Sequence, residues 1–158
     1  MRISILSPNL SRDPSIVDIG ITYLATYLQQ RSSHEVEIVD FTYHAADWRE
    51  HLAKHVERFQ PDIIGVSSVS MYMQYIRPML REIKQRWGLP TILGGYHATL
   101  VPEETIAEPD VDAICIGDGE YALTEYLDAL EAGCSPRGIA GIWFEEGGVV
   151  VRNELREL

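Results

Sequence analysis

Three short loops hold most of the residues able to do chemistry. Ser67-Ser68-Val69-Ser70 follows one apolar run, Gly94-Gly95-Tyr96-His97-Ala98-Thr99 follows the next, and Gly117-Asp118-Gly119-Glu120 a third. Two glycines at a strand end let a flat group approach the backbone, because no Cβ intervenes. Serines at the neighbouring strand end can donate to a ring nitrogen or a phosphate. Together they predict a deep slot between the third and fourth strands, suited to a long ligand with a polar tail. His97 stands beside the double glycine, where it meets such a ligand or caps the short helix that follows. Glu120 either accepts from an amide or favours the start of a helix through its dipole.

Nucleotide chemistry fits these loops less well. There is no Gly-x-x-x-x-Gly-Lys-Ser/Thr phosphate loop. Gly117-x-Gly119-x-x-Ala122 matches a dinucleotide fingerprint by letter, but it follows the fifth strand rather than the first. Asp118 and Glu120 would then face a pyrophosphate. The segment after the first strand, Ser7-Pro8-Asn9-Leu10-Ser11, lacks both phosphoacceptor acids and a flavodoxin-type cluster of Ser, Thr and Gly. His51 and His55 share the i, i+4 spacing of helical zinc ligands, yet no Glu follows His51, and the pair reads as a solvated helix face. Cys115 and Cys134 are too few for an iron–sulfur cluster or a four-cysteine zinc site.

The elements that must position these loops alternate along the chain. β-rich runs at Ile3–Ser7, Glu35–Val39, Ile63–Ser67, Thr91–Leu93 and Ala113–Ile116 are separated by amphipathic stretches. Asp18 to Arg31 sets Ile21, Leu24, Ala25 and Leu28 on one face. Asp47-Trp48-Arg49-Glu50 resembles a capping box opening a second helix. Pro78 fits only near the first turn of the third helix. Gly141–Phe144 and Val149–Arg152 flank Glu-Glu-Gly-Gly and read as a hairpin. This order predicts a doubly wound α/β fold, flavodoxin-like or Rossmann-like, with a five-stranded parallel sheet and a C-terminal β-hairpin extension. Ligands on such sheets bind at the carboxyl ends of the strands.

Composition excludes several partners. The 158 residues have a formal net charge of −11, which repels nucleic acid and anionic membranes. No apolar run approaches the ~18 residues of a membrane helix. Met1–Leu10 reads as a first strand rather than a signal peptide, so the expected location is the cytoplasm.

These segments resemble the N-terminal cobalamin (B12)-binding domain of B12-dependent radical S-adenosylmethionine enzymes. The resemblance rests on Gly20-Ile21-Thr22-Tyr23-Leu24-Ala25, Asp62-Ile63-Ile64-Gly65-Val66-Ser67, Leu93-Gly94-Gly95-Tyr96-His97-Ala98-Thr99, Val111-Asp112-Ala113-Ile114 with Gly117-Asp118-Gly119-Glu120, and Gly138-Ile139-Ala140-Gly141-Ile142-Trp143. One departure is informative. Other B12 domains carry Asp-x-His-x-x-Gly after the first strand, and the corresponding segment here is Ser15-Ile16-Val17-Asp18-Ile19-Gly20. Valine cannot ligate cobalt, so the resemblance implies base-off cobalamin without a His ligand, as is common in the radical branch.

The resemblance further implies a benzimidazole tail passing Ser67 and Gly94-Gly95, with the corrin lying over the first loop. The implied cofactor-binding set is Val17, Gly20, Ser67, Ser68, Val69, Ser70, Gly94, Gly95, Tyr96, His97, Gly117, Gly119 and Glu120, with no catalytic or metal-ligating residue in this chain. Residues 1–136 would form the cobalamin-binding domain. Residues 137–158, the hairpin and tail, would lead to a radical domain of the same polypeptide. S-adenosylmethionine and a 4Fe-4S cluster are expected only there, because the Cys-x-x-x-Cys-x-x-Cys motif is absent here. The full-length activity implied is methyl transfer or ring formation, and this chain alone should be inert. The alternatives are a flavodoxin-like module for FMN or another nucleotide, and a ligand-free interaction domain.

Overall fold

The computed structural model describes residues 1–9 and 18–156. The strands are β1 (Arg2–Ser7), β2 (Glu35–Asp40), β3 (Ile63–Ser67), β4 (Thr91–Gly94), β5 (Ala113–Cys115), β6 (Ile142–Glu146) and β7 (Val149–Arg152). The helices are α1 (Ile19–Arg31), α2 (Trp48–Phe59), α3 (Met73–Trp87), α4 (Tyr96–Leu100), α5 (Pro102–Ile106) and α6 (Gly119–Glu131), with a 3-10 turn at Ser70–Tyr72 before α3. The described strands form one sheet in the order β2-β1-β3-β4-β5-β6-β7. The first five are parallel, and β6 and β7 are antiparallel.

The doubly wound prediction holds, but the sheet has seven strands rather than five. The hairpin pairs onto β5, with Ala113 opposite Phe144 and Cys115 opposite Ile142. The reason is burial: β5 is only three residues long and wholly buried, and its outer edge needs a partner. The strands before residue 137 and the hairpin strands after it therefore share one sheet.

Strand periodicity sorts the core into two layers. Ile64 and Val66 of β3 pack with Leu6, Leu52, Ile76 and Leu80 beneath α2 and α3. Ile63 of the same strand packs with Ile3, Ile5, Ile92, Ile21 and Leu127 beneath α1 and α6. Gly65 lies on that second side, because a Cβ there would meet Ile3, Ile5 and Ile92.

Local chemistry fixes the helix ends. Asp18 caps α1 by accepting from the Ile21 N–H at 3.0 Å. The capping box expected at Asp47 is not formed. The Asp47 carboxylate instead takes Nδ1 of His44 at 3.1 Å and makes no cap bond to α2. Pro78 falls in the second turn of α3, not the first, on the solvent side, where its missing N–H and ring are tolerated. Asp112 anchors the start of β4, accepting from the Thr91 N–H at 2.6 Å and the Thr91 hydroxyl at 3.1 Å and pairing with Lys84.

Candidate cofactor slot

A cavity of about 180 Å³ lies between the sheet and the pair α1 and α6, at the carboxyl ends of the strands. Ile5, Gly65 and Ile92 form its floor on β1, β3 and β4, and Ile21, Leu24 and Leu123 of the two helices form its roof. Ser67, Gly94, Gly95, Gly117, Asp118, Gly119, Glu120 and Gly20 surround it toward the edge. Cys115 lines it as well, and burial pushes its thiol up to about 12, so the group stays protonated. The slot expected between strands three and four thus runs wider, from β1 across to β5.

Three loops are stitched together at its edge. Gly94 O accepts from both the Ser68 N–H, at 2.8 Å, and the Ser68 hydroxyl, at 2.7 Å. The His97 N–H donates to Ser68 O at 2.9 Å, and His97 Nδ1 lies 2.9 Å from the Ser70 hydroxyl. The Gly117 N–H donates to the Thr99 hydroxyl at 3.0 Å. Gly95 carries φ +88°, which favours glycine, and α4 starts directly after it.

Of the residues predicted for the site, the structure gathers Gly20, Ser67, Gly94, Gly95, Gly117, Gly119 and Glu120 around the cavity. Ser68, Val69, Ser70, Tyr96 and His97 are not in its lining. Ser68 is buried and committed to Gly94, and His97 is buried with its imidazole turned to Ser70. Val69 is half-buried and accepts the Tyr72 N–H at 2.9 Å. Tyr96 is 75 % exposed at the carboxyl edge. Val17 lies outside the described residues. Sequence reasoning missed Ile5, Gly65, Ile92, Leu24, Cys115 and Leu123, which look like core by type. Gly65 carried a readable signal, since a glycine inside an Ile/Val strand often marks close approach of a ligand.

A second depression of about 390 Å³ adjoins the first, between Tyr23 and Tyr27 of α1, Tyr121 of α6 and Arg156 of the tail. Arg156 pairs with Glu125 at 2.5 Å and lies over the Tyr121 ring. Around the same carboxyl edge, Ile19, Tyr23, Met71, Tyr96, Leu100 and Tyr121 are exposed. Potential metal ligands gather elsewhere, at the amino edge, as His34, Asp128 and Glu131. They are already engaged, His34 with the Met1 amine and Asp128, and Glu131 with the same amine.

The chain belongs to the B12 binding domain family, whose model matches residues 9–127, more than half of the sequence. It is 34% identical over 140 residues to the uncharacterized methyltransferase PH0819 of Pyrococcus horikoshii, covering 86% of this chain and 29% of that protein. Its fold is similar to that of TsrM, a radical S-adenosylmethionine methyltransferase from Kitasatospora setae solved with cobalamin and a 4Fe-4S cluster (TM-score 0.88, 23% identity, 99% of this chain and 29% of that one). It is similar also to OxsB, a cobalamin-dependent S-adenosylmethionine radical enzyme (TM-score 0.77, 21% identity, 99% of this chain and 22% of that one). The chain therefore spans less than a third of the length of these relatives. Among the described residues no helix is long and apolar enough to cross a membrane.

Proposed function

We propose that this chain is the cobalamin-holding domain of a cobalamin-dependent radical S-adenosylmethionine enzyme, a methyltransferase or a cyclase. The observation that carries this reading is the glycine-opened apolar slot beneath α1 and α6. A cavity of about 180 Å³ is below the ~300 Å³ of a site that encloses a whole ligand. It exceeds the ~150 Å³ that holds a benzene. Such a slot suits one bicyclic arm of a larger molecule whose remainder stays outside, and cobalamin, with its benzimidazole on a flexible tail, has that shape.

The edge residues fit the remainder. The exposed apolar side chains of Tyr96, Met71 and Leu100 offer a surface for the flat corrin. Asp118 and Glu120 are acceptors for its neutral side-chain amides, whereas they oppose a polyphosphate at the N-terminus of α6. A benzimidazole seated on Ile5 and Ile92 is held away from cobalt, which is the base-off state. Bound cobalamin supplies a cobalt centre able to carry a methyl group. The residues around the slot bind and orient it. The hairpin closes the sheet, and a radical domain in the same polypeptide would hold S-adenosylmethionine and the cluster, in the cytoplasm.

Thermal unfolding with hydroxocobalamin and with FMN, each at equal excess, tests the reading. The proposal expects stabilisation by the corrinoid only. Stabilisation by FMN alone would establish the flavodoxin-like alternative, and no effect of either on the intact polypeptide would leave the interaction domain standing.

A further inference from the structure

We propose that the slot selects among cobamides by their lower base, favouring a benzimidazole over a purine, and that Gly65 sets its depth. This rests on the cobalamin reading above and deepens it. The first observation is that nothing in the protein's own packing requires glycine at position 65. It lies within β3, where glycine weakens a strand. Its φ is not in the left-handed region. A Cβ there would sit 3.5 Å from Ile3 Cδ1 and 3.8 Å from both Ile5 Cγ1 and Ile92 Cγ2, which is ordinary contact. The missing methyl therefore leaves space, and that space is the cavity floor between Ile5 and Ile92.

The second observation is the chemistry of the walls. Floor and roof are aliphatic: Ile5, Ile92, Ile21, Leu24 and Leu123. Cys115 is a protonated thiol and a weak donor. The Ser67 hydroxyl lines the cavity and makes no hydrogen bond among the described residues, so it can serve one ring nitrogen. A benzimidazole presents C–H or methyl groups to these walls. An adenine would bring an exocyclic amine and further ring nitrogens, most of them without partners. Apolar pockets discriminate against a polar analogue of similar size by on the order of 10–100-fold.

The test uses the intact polypeptide in equilibrium dialysis against three aquacobamides: dimethylbenzimidazolyl, benzimidazolyl and adeninyl. Bound corrin is read from its visible absorbance. The expected result is adeninyl cobamide weaker than both benzimidazolyl forms by on the order of 10–100-fold. Gly65→Ala should leave the melting temperature unchanged or higher and shift the preference roughly 10-fold from the dimethylated toward the unsubstituted base, by filling the floor. Ile92→Val, which deepens the same floor, should shift it the opposite way. Equal affinity for all three bases, or a preference for adenine, would overturn base selection. A base ranking that neither substitution alters would overturn the role of Gly65. Binding of none of the three would overturn the cobalamin reading itself.

Discussion

Gly95 and Ser68 touch so closely that a Cβ on Gly95 would stand 2.9 Å from Ser68 O and 3.0 Å from Ser68 N. The double glycine thus has two separable tasks. Gly95 lets the loop after β4 lie against the loop after β3, at a positive φ. Gly94 lines the cavity, and a Cβ there would make only a 3.8 Å contact with Cys115.

Gly95→Ala is therefore expected to disturb the fold. The strained φ alone costs about 1–3 kcal/mol, enough to lower Tm by several degrees in a chain of this size. Gly94→Ala should keep Tm within a degree or two and weaken cobalamin binding. Thermal melts and cobalamin titrations of both variants check this, and a Gly95→Ala protein as stable as wild type would contradict it.

His55 does not lie on the solvated helix face expected for it; α2 buries it against the Ser4 hydroxyl, 2.6 Å from Nε2. Burial is the largest influence on it and lowers its pKa, with Glu37 opposing and Arg58 and His51 adding to the effect. A histidine whose folded pKa lies below its unfolded value of ~6.5 costs stability as pH falls. Stability should be level above pH ~7 and decline through the range below ~6.5, by at most ~1.4 kcal/mol per pH unit for one proton. His51, also lowered mainly by burial, acts in the same direction. The paired carboxylates Glu37, Glu103 and Glu146 are lowered and so lose their contribution only in more acidic solution. Urea melts at pH 7.5 and 5.5 should show the loss, and His55→Gln should shrink it. An unchanged difference between the two pH values in that variant would assign the effect to another group.

Cys115 and Cys134 should differ in reactivity. Cys134 is exposed, whereas Cys115 is buried in the slot with its thiol pushed up to about 12. At pH 8 a thiol reagent should label one cysteine in the native protein, and none in Cys134→Ser until it is unfolded. Rapid labelling of native Cys134→Ser would contradict the burial of the Cys115 thiol.

Much of this was legible in the sequence, for physical reasons. Ile63–Ser67 reads as a strand because β-branched residues buried on both faces leave no helical period. Gly94-Gly95 reads as a close approach because glycine at a strand end has few other uses. Asp18 was legible as the head of α1 and does cap it. Apart from Gly65, the apolar walls of the slot were not legible, since Ile5 and Ile92 of the floor and Leu123 of the roof have the same types as the core around them, and a residue's type does not say whether the space before it is filled. The contacts of Ser68 and His97 were hidden for a related reason. A polar side chain beside a ligand loop looks alike whether it faces the ligand or ties the loop together. The hairpin's union with the sheet was likewise unmarked, because pairing of β6 with β5 is a matter of register rather than local composition.

The central claim is most directly tested by the visible spectrum of the protein incubated with hydroxocobalamin and then desalted. The proposed reading predicts retained corrin, about one per chain, with a base-off spectrum, because a benzimidazole seated on Ile5 and Ile92 would be held away from cobalt and no histidine lines the slot among the described residues. A nitrogen-ligated spectrum, or a protein that retains no corrin even as the intact polypeptide, would contradict it.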